Sequence, residues 1–580
     1  MKLKNEFLNY QKDKTLARFT FLSIALTLIY WLWLFYNLRI GFKTLVDEAF
    51  FVLGLNPKQD LGIQHTQFFT ITRFFFEKFS LPVTIYNSRL TNYCVAFASL
   101  LTFGISSYYW LCKKKYLCQQ FLLYMSIVFL WGAMTLSVYE YSFAFNGLQV
   151  FIVSLIVSCY LIFDSVDNVF IKSLSVFTLG FFSFFGIINI LPSGLLFLLL
   201  ITCLILLKNI KSYQWLFLLL VQLVVGFALA LFIFDKAFFP IKKVYENLFY
   251  TILHPSFGTG GYTISSFLVL LYEYAKMLIV MILSGMGLFG LYHFIKVNTK
   301  KEQVAGFIFF LVAVIFIVFE RRFFHQNMFL FPIIMVVMMH ISQLKPIDWN
   351  KSVYRILQLI AFWGFPIVAI QGTNVFISHK ICFFIFLWVF LLFQFLFKKN
   401  TISIAYRNMC ILLTIFLGFY VNILANSDYN VYKGNIFNSK TTIPDQVVYS
   451  KIKLTERQIA YFERVDSILK VNSFNVAQHK ILVIDYDYSV ILFLNTTNYG
   501  GLFHHINHMD SYAHVFNSIE NRPDCILLPQ DDINEFIAMV EKYGWNFPEA
   551  YLQYEIGNSE SSARNVSDRC LFYLKGNDVE

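Results

Sequence analysis

The chain alternates long apolar runs with short charged breaks from residue 19 to about residue 425. About thirteen runs fall near residues 19–37, 90–111, 120–138, 143–163, 170–188, 191–207, 214–234, 271–295, 304–320, 323–341, 353–371, 376–397 and 409–425. At 1.5 Å of rise per residue each is long enough, or nearly so, to cross about 30 Å of hydrocarbon as a helix. The segment before the first run, Met1 to Arg18, is polar and carries Lys2, Lys4, Lys12 and Lys14. The first run has no small-residue cleavage site, so it predicts a retained span and not a removed signal peptide. Beyond residue 426 the pattern changes to ordinary polar density. Lys480–Asp485, Asp524–Leu528 and Cys570–Leu574 read as short buried strands, and Asp531–Tyr543 as an amphipathic helix. The pattern therefore divides the chain at 1–425, a helical membrane domain with a long loop at 38–89, and 426–580. The second part predicts a small α/β or α+β domain outside the membrane, since about 150 residues can bury a modest core. No internal repeat or low-complexity tract is present.

Composition agrees with this class. Of 580 residues 58% are hydrophobic and only 14% charged, where a soluble protein carries about 25% charged residues. The net charge of +11 raises the question of nucleic acid. Its placement excludes that reading, because the excess sits in alternate short loops. One set holds Lys113, Lys114 and Lys115; Lys208 and Lys211; Lys296, Lys300 and Lys301; Lys345 and Lys351; and Lys398, Lys399 and Arg407. The positive-inside rule places these loops and the N-terminus in the cytoplasm. Asp164-Ser-Val-Asp167 is the acidic exception in that set. Thirteen spans then put the tail outside the cytoplasmic membrane, in the periplasm or extracellular space. The outward set includes the loop from Arg39 to Arg89, Tyr139-Glu140-Tyr141 and Glu320-Arg321-Arg322. Arg321 and Arg322 run against the charge rule, which an anionic ligand explains more easily than topology does.

Cysteine adds little. Seven of the nine lie in or near spans, where Cys packs as a small apolar residue. No CxxC pair signals a thiolate zinc site. Cys525 and Cys570 stand alone in the tail, and the sequence leaves open a disulfide or two buried thiols. The tail cluster His504, His505, His508 and His514 fits no established metal spacing, and the Gly-rich stretch His254–Gly261 fits no phosphate-loop pattern.

The chemistry concentrates in the first outward loop. Asp47 and Glu48 open the stretch Val46-Asp47-Glu48-Ala49-Phe50-Phe51, His65 follows, and Arg89 stands just before the second span. Carboxylates beside a bilayer are costly and rarely idle. An acidic pair, a histidine and an arginine suit a charged, polar substrate at the membrane surface. Each also has a plainer reading. The acidic pair can be a solvated loop, His65 a helix cap, Arg89 a snorkelling anchor, and Arg321 and Arg322 partners of Glu320.

In this order and spacing the loop resembles the C-type glycosyltransferase superfamily (GT-C), and most of all its bacterial branch of protein O-mannosyltransferases and lipid A aminoarabinose transferases. Those proteins show Asp-Glu-Ala-aromatic, a His-Pro-Pro and then Arg-Leu. Here His65 is followed by Thr66-Gln67 and not by two prolines. Arg322-Phe-Phe-His-Gln-Asn-Met-Phe-Leu-Phe-Pro332 resembles the family's basic-aromatic stretch ahead of a late span. The resemblance covers roughly residues 15–425. It implies a GT-C fold and transfer of a sugar from a polyprenyl-phosphate-linked donor to a glycan, lipid or protein acceptor on the outer face of the cytoplasmic membrane. It implies Asp47 as general base, supported by Glu48, with Glu140 near the place of a second carboxylate. His65, Arg89, Arg321 and Arg322 would bind substrate, the arginines through forked contacts to phosphate. Relatives differ over a divalent metal ion, so the resemblance leaves that cofactor open.

Two other classes compete. A transporter or flippase of lipid-linked glycans would show mid-membrane charges and inverted repeats with broken helices, and neither is evident. A polymerase or ligase of lipid-linked glycans would place its key arginines in a large late outer loop, whereas here the acidic first loop is the stronger signal.

Overall fold

The computed structural model describes residues 14–40, 45–61, 66–114, 120–137, 142–210, 212–246, 272, 304, 349–370, 381–397, 404–426, 441–442, 448–449, 451–476, 478–484, 488–499, 522–557 and 568–575. The described helices are α1 Lys14–Asn37, α2 Leu45–Leu55, α3 Phe68–Lys78, α4 Ile85–Lys113, α5 Phe121–Gly132, α6 Met134–Ser137, α7 Phe145–Ser165, α8 Val169–Asn189, α9 Leu191–Asn209, α10 Tyr213–Ala237, α11 Trp349–Ala369, α12 Phe386–Leu396 and α13 Ile404–Asn426. Six of them (α1, α4, α7, α8, α9 and α10) are long and apolar enough to cross a membrane. The chain is a multi-pass helical membrane protein with a small α/β tail.

Ten of the thirteen expected spans fall on described helices. Those near 271–295, 304–320 and 323–341 lie almost wholly outside the described residues. Two spans differ in form. The run near 120–138 breaks after Gly132 into α5 and the single turn α6. The run near 376–397 reads, in its described part, as a 3₁₀ turn at Ile381–Phe384 followed by α12.

Small residues let backbones meet inside the bundle. A Cβ added to Gly180 of α8 would lie 2.1 Å from the Leu223 carbonyl oxygen of α10, and one added to Gly226 would lie 2.0 Å from that of Phe177. The two glycines thus face each other's helix backbone reciprocally, as membrane helices in close contact require.

The bundle has two different ends. At one end, the carboxylate of Asp164 is buried and collects five side chains. Lys208 (2.6 Å), Tyr354 (2.8 Å), Trp110 (2.8 Å), Lys114 (3.0 Å) and Gln358 (3.1 Å) all donate to it. This explains the acidic exception among the lysine-rich loops: Asp164 pairs with the lysines at the ends of α4 and α9 and ties both helices to α11.

The other end is capped by the 38–89 loop and the tail. The span pattern passed over two short helices, α2 and α3, in this loop. α3 is amphipathic, burying Phe68, Phe69, Ile71 and Phe76. The two helices meet at Gly54, where a Cβ would lie 2.2 Å from the ring of Phe69.

The tail holds α14 Glu456–Val471, α15 Ser489–Phe493 and α16 Ile533–Val540, with strands β1 Thr441–Thr442, β2 Lys453–Leu454, β3 Ile481–Val483, β4 Cys525–Pro529, β5 Tyr551–Gly557 and β6 Arg569–Leu574. A capping box of Thr455 and Gln458 starts α14. The four-stranded sheet runs β3-β4-β6-β5, parallel between β3 and β4 and antiparallel elsewhere. The expected Asp531–Tyr543 helix is α16 flanked by 3₁₀ turns. Strand alternation sorts the sheet into two cores. Ile481, Val483, Cys525, Leu527 and Leu571 face one that also contains Phe50, Phe51, Leu53, Phe68 and Phe69 of the membrane-end loop. Leu482, Ile526, Leu528, Cys570 and Phe572 face the other, with Phe536 and Val540 of α16. One continuous apolar core therefore joins the tail to α2 and α3.

That register settles the tail cysteines. Strands β4 and β6 are neighbours, but Cys525 stands opposite Tyr573 and Cys570 opposite Leu528. The two side chains point to opposite faces, and both cysteines are free and buried. A disulfide is excluded, and burial pushes both thiols up from their ordinary range.

Candidate active site

The Asp47-Glu48 pair lies in the first turn of α2. Glu48 is fully buried. It meets Arg89, also fully buried, through two parallel contacts: Nε donates to Oε1 at 2.9 Å and Nη2 to Oε2 at 2.7 Å. Such forked pairs combine charge with fixed geometry. Arg89 Nη1 also donates to the carbonyls of Leu38 and Ile40, each at 3.1 Å. Glu48 Oε1 accepts from the Ser142 amide at 3.1 Å and from its hydroxyl at 3.0 Å.

Four chain segments therefore converge on one ion pair: the residues just after α1, the first turn of α2, the second turn of α4 and the stretch of chain leading into α7. Thr84 caps α4 by accepting from the Asn87 amide, which sets the start of the helix that carries Arg89. Ser142, at the entry to α7, is drawn to the same point. Glu140 itself, His65, Arg321 and Arg322 lie outside the described residues, as do His504, His505, His508 and His514. Of the expected site residues, the structure brings Glu48 and Arg89 together and places Asp47 next to them in the chain.

A chain of buried polar groups underlies the loop. Thr66, the residue after His65, donates to Asn189 Oδ1 at 3.3 Å. Asn189 donates to Gln149 Oε1 at 2.9 Å, Gln149 to Ser193 Oγ at 2.9 Å, and Ser193 to the Ala369 carbonyl at 3.1 Å. These residues link Thr66, ahead of α3, to α7, α8, α9 and α11. Sequence reading missed them because single Asn, Gln and Ser residues in apolar runs carry no spacing signature. Their presence inside spans was the available signal.

Beside the loop lies a cavity of about 720 Å³. Its walls are the turn after α2 (Pro57–Leu61), one side of α3 and the end of α10 with the residues after it. Arg73 on α3 donates to the carbonyls of Gly54 (2.8 Å) and Gln59 (2.7 Å). Burial draws its pKa down to about 10, with nearby Asp60 and Glu77 opposing that shift. It remains a cation at neutral pH, and among the described residues no carboxylate lies within ion-pair distance of it. Among the described residues, no group of three or more His, Cys, Asp or Glu side chains is placed to hold a metal ion.

No family model and no curated protein matches the chain. Solved structures are similar at low identity. ArnT from Cupriavidus metallidurans bound to undecaprenyl phosphate is 13% identical, with 96% of this chain and 98% of that chain covered and a TM-score of 0.43. The same protein in the apo state gives 13%, 95%, 97% and 0.42. The Archaeoglobus fulgidus oligosaccharyltransferase in complex with zinc and sulfate gives 10%, 91%, 69% and 0.45. At these scores the likeness decides nothing about the chemistry, which rests on this chain's own residues.

Proposed function

We propose that the chain is a membrane glycosyltransferase that moves a sugar from a polyprenyl-phosphate-linked donor to a glycan, lipid or protein acceptor at the capped end of the bundle, outside the cytoplasmic membrane. The observation that carries this reading is the Glu48–Arg89–Ser142 junction. It fixes the first turn of α2, and with it the backbone of Asp47, against α1, α4 and the start of α7. A base must be held in place relative to the nucleophile it serves, because misplacement by about 1 Å can lose roughly 10²-fold in rate.

In this mechanism Asp47 takes the proton from the acceptor's nucleophile as it attacks the sugar carbon. The bond from that carbon to the phosphate oxygen breaks, and the lipid phosphate leaves with the electron pair. Arg321 and Arg322 stabilise the developing phosphate charge. Glu48 and Arg89 act as positioning residues, since each satisfies the other inside the protein. A site at the membrane edge suits a donor whose chain stays in lipid while its sugar reaches water.

The test is a transfer assay on purified protein in detergent, with a labelled polyprenyl-phosphate sugar and mixed envelope acceptors. Release of labelled product without any gradient supports the transferase. Bound but uncleaved donor that crosses vesicles containing the protein would favour a flippase instead.

A further inference from the structure

The tail is hydrogen-bonded to the wall of the 720 Å³ cavity through one buried side chain of the 38–89 loop. Gln59, 1% exposed, sits in the turn after α2 and pairs with the backbone of Asn498 in the tail. The Asn498 amide donates to Gln59 Oε1 at 2.7 Å, and Gln59 Nε2 donates back to the Asn498 carbonyl at 3.2 Å and to the Asp60 carbonyl at 2.8 Å. Asn498 is itself fixed, because its Oδ1 accepts from the Val483 amide of β3 at 2.8 Å. From Gln59 the connection continues into the cavity: its carbonyl accepts from Arg73 Nη2 at 2.7 Å. A run of hydrogen bonds thus links the tail sheet to a cavity-lining cation. Isolated buried amides are costly unless paired at both ends, and Gln59 is paired at both.

The cavity suits a hydroxyl-rich ligand. Its lining offers cations (Arg73, Lys243), carboxylates (Asp60, Glu77) and phenylalanine rings (Phe74, Phe238) in one space. Sugar hydroxyls both donate and accept, and sugar C–H faces lie well on aromatic rings. By helical rise the end of α2, where the cavity begins, lies about 12 Å along the helix from Asp47, so a ligand in the cavity would sit away from the reacting bond.

We propose that Gln59, locked by Asn498 of the tail, is a positioning residue for a carbohydrate subsite in this cavity, and that the tail is thereby part of the substrate-binding machinery. This rests on the transferase reading above. Remote binding of this kind is read in KM and not in turnover at saturation.

The experiment uses the full-length protein. Gln59→Ala, Asn498→Ala and the double variant are compared by steady-state kinetics in both substrates and by hydrogen exchange. Each single variant should raise KM for donor or acceptor about tenfold with kcat held within about twofold, and the double variant should be no worse than the stronger single. Exchange at residues 56–61 should quicken while β4 stays protected. Unchanged KM for both substrates, despite quickened exchange, overturns the proposal, as does a loss confined to kcat. If the wild-type protein transfers no sugar, the transferase reading fails separately. Exchange then judges the tether alone, and unchanged protection at residues 56–61 in Gln59→Ala overturns it.

Discussion

Arg89 grips Glu48 across 41 residues of sequence with both guanidinium contacts below 3 Å and neither side chain open to solvent. The pair is a hub for backbone: two carbonyls just after α1 and the amide of Ser142 end on it. Arg89, a substrate-binding candidate by sequence, directs these contacts to Glu48 and to the carbonyls of Leu38 and Ile40, and on them rests the proposed positioning role. Removing one partner of a buried pair typically costs about 3–5 kcal/mol, because the other charge is left uncompensated. Arg89→Ala and Glu48→Ala should therefore both lower the unfolding temperature sharply in detergent. An Arg89→Ala protein that is as stable as wild type but has lost donor affinity would return Arg89 to the substrate.

The helix crossing of α8 and α10 depends on Gly180 and Gly226. Gly226→Ala should cost about 1–3 kcal/mol, since its new methyl group meets backbone that can only move aside as a whole helix. Gly364→Ala in α11 is the control, because its Cβ would meet nothing within 4 Å. It should be neutral or slightly stabilising, as Ala favours helix over Gly. Thermal unfolding of the two variants side by side checks this, and equal destabilisation would refute the packing argument.

Much of this was legible in the sequence, for a physical reason. Apolar runs of 17–25 residues have one use in a chain this hydrophobic, so ten expected spans meet described helices. The strands at Ile481–Val483 and Cys525–Pro529 were visible as short apolar runs bounded by polar residues. What could not be read was pairing. α2 and α3 are too short to register as spans, and β5 (YLQYEIG) is mixed in polarity because it lies at the sheet edge. Register decides which face Cys525 and Cys570 take, and register is invisible until strands are matched. Asp164 looked like an exception to a charge rule, and only the fold shows it answering Lys114 and Lys208.

Asp164→Asn would leave both lysines without their carboxylate at the end of the bundle away from Asp47. A loss of about 1–3 kcal/mol in stability is expected, toward the lower figure because both lysines are partly exposed and can rehydrate. Transfer per folded molecule should stay near wild type. Normal stability with lost transfer would mean that this end of the bundle takes part in the reaction.

Cys525 and Cys570 should react as two separate thiols. In the native protein both should resist alkylation at neutral pH, being buried and held protonated by burial. After denaturation without reductant, mass spectrometry should find each peptide alkylated singly. A linked Cys525–Cys570 peptide would contradict the register of β4 and β6.

In the proposed mechanism Asp47 acts as the base, held in place by its neighbour Glu48. The direct measurement is transfer of labelled sugar by purified Asp47→Asn against wild type, with unfolding temperatures of both recorded. Loss of a general base lowers the rate by about 10²–10⁴-fold, and that loss is expected here with an unfolding temperature close to wild type. An Asp47→Asn protein that keeps more than about a tenth of wild-type turnover would contradict the assignment.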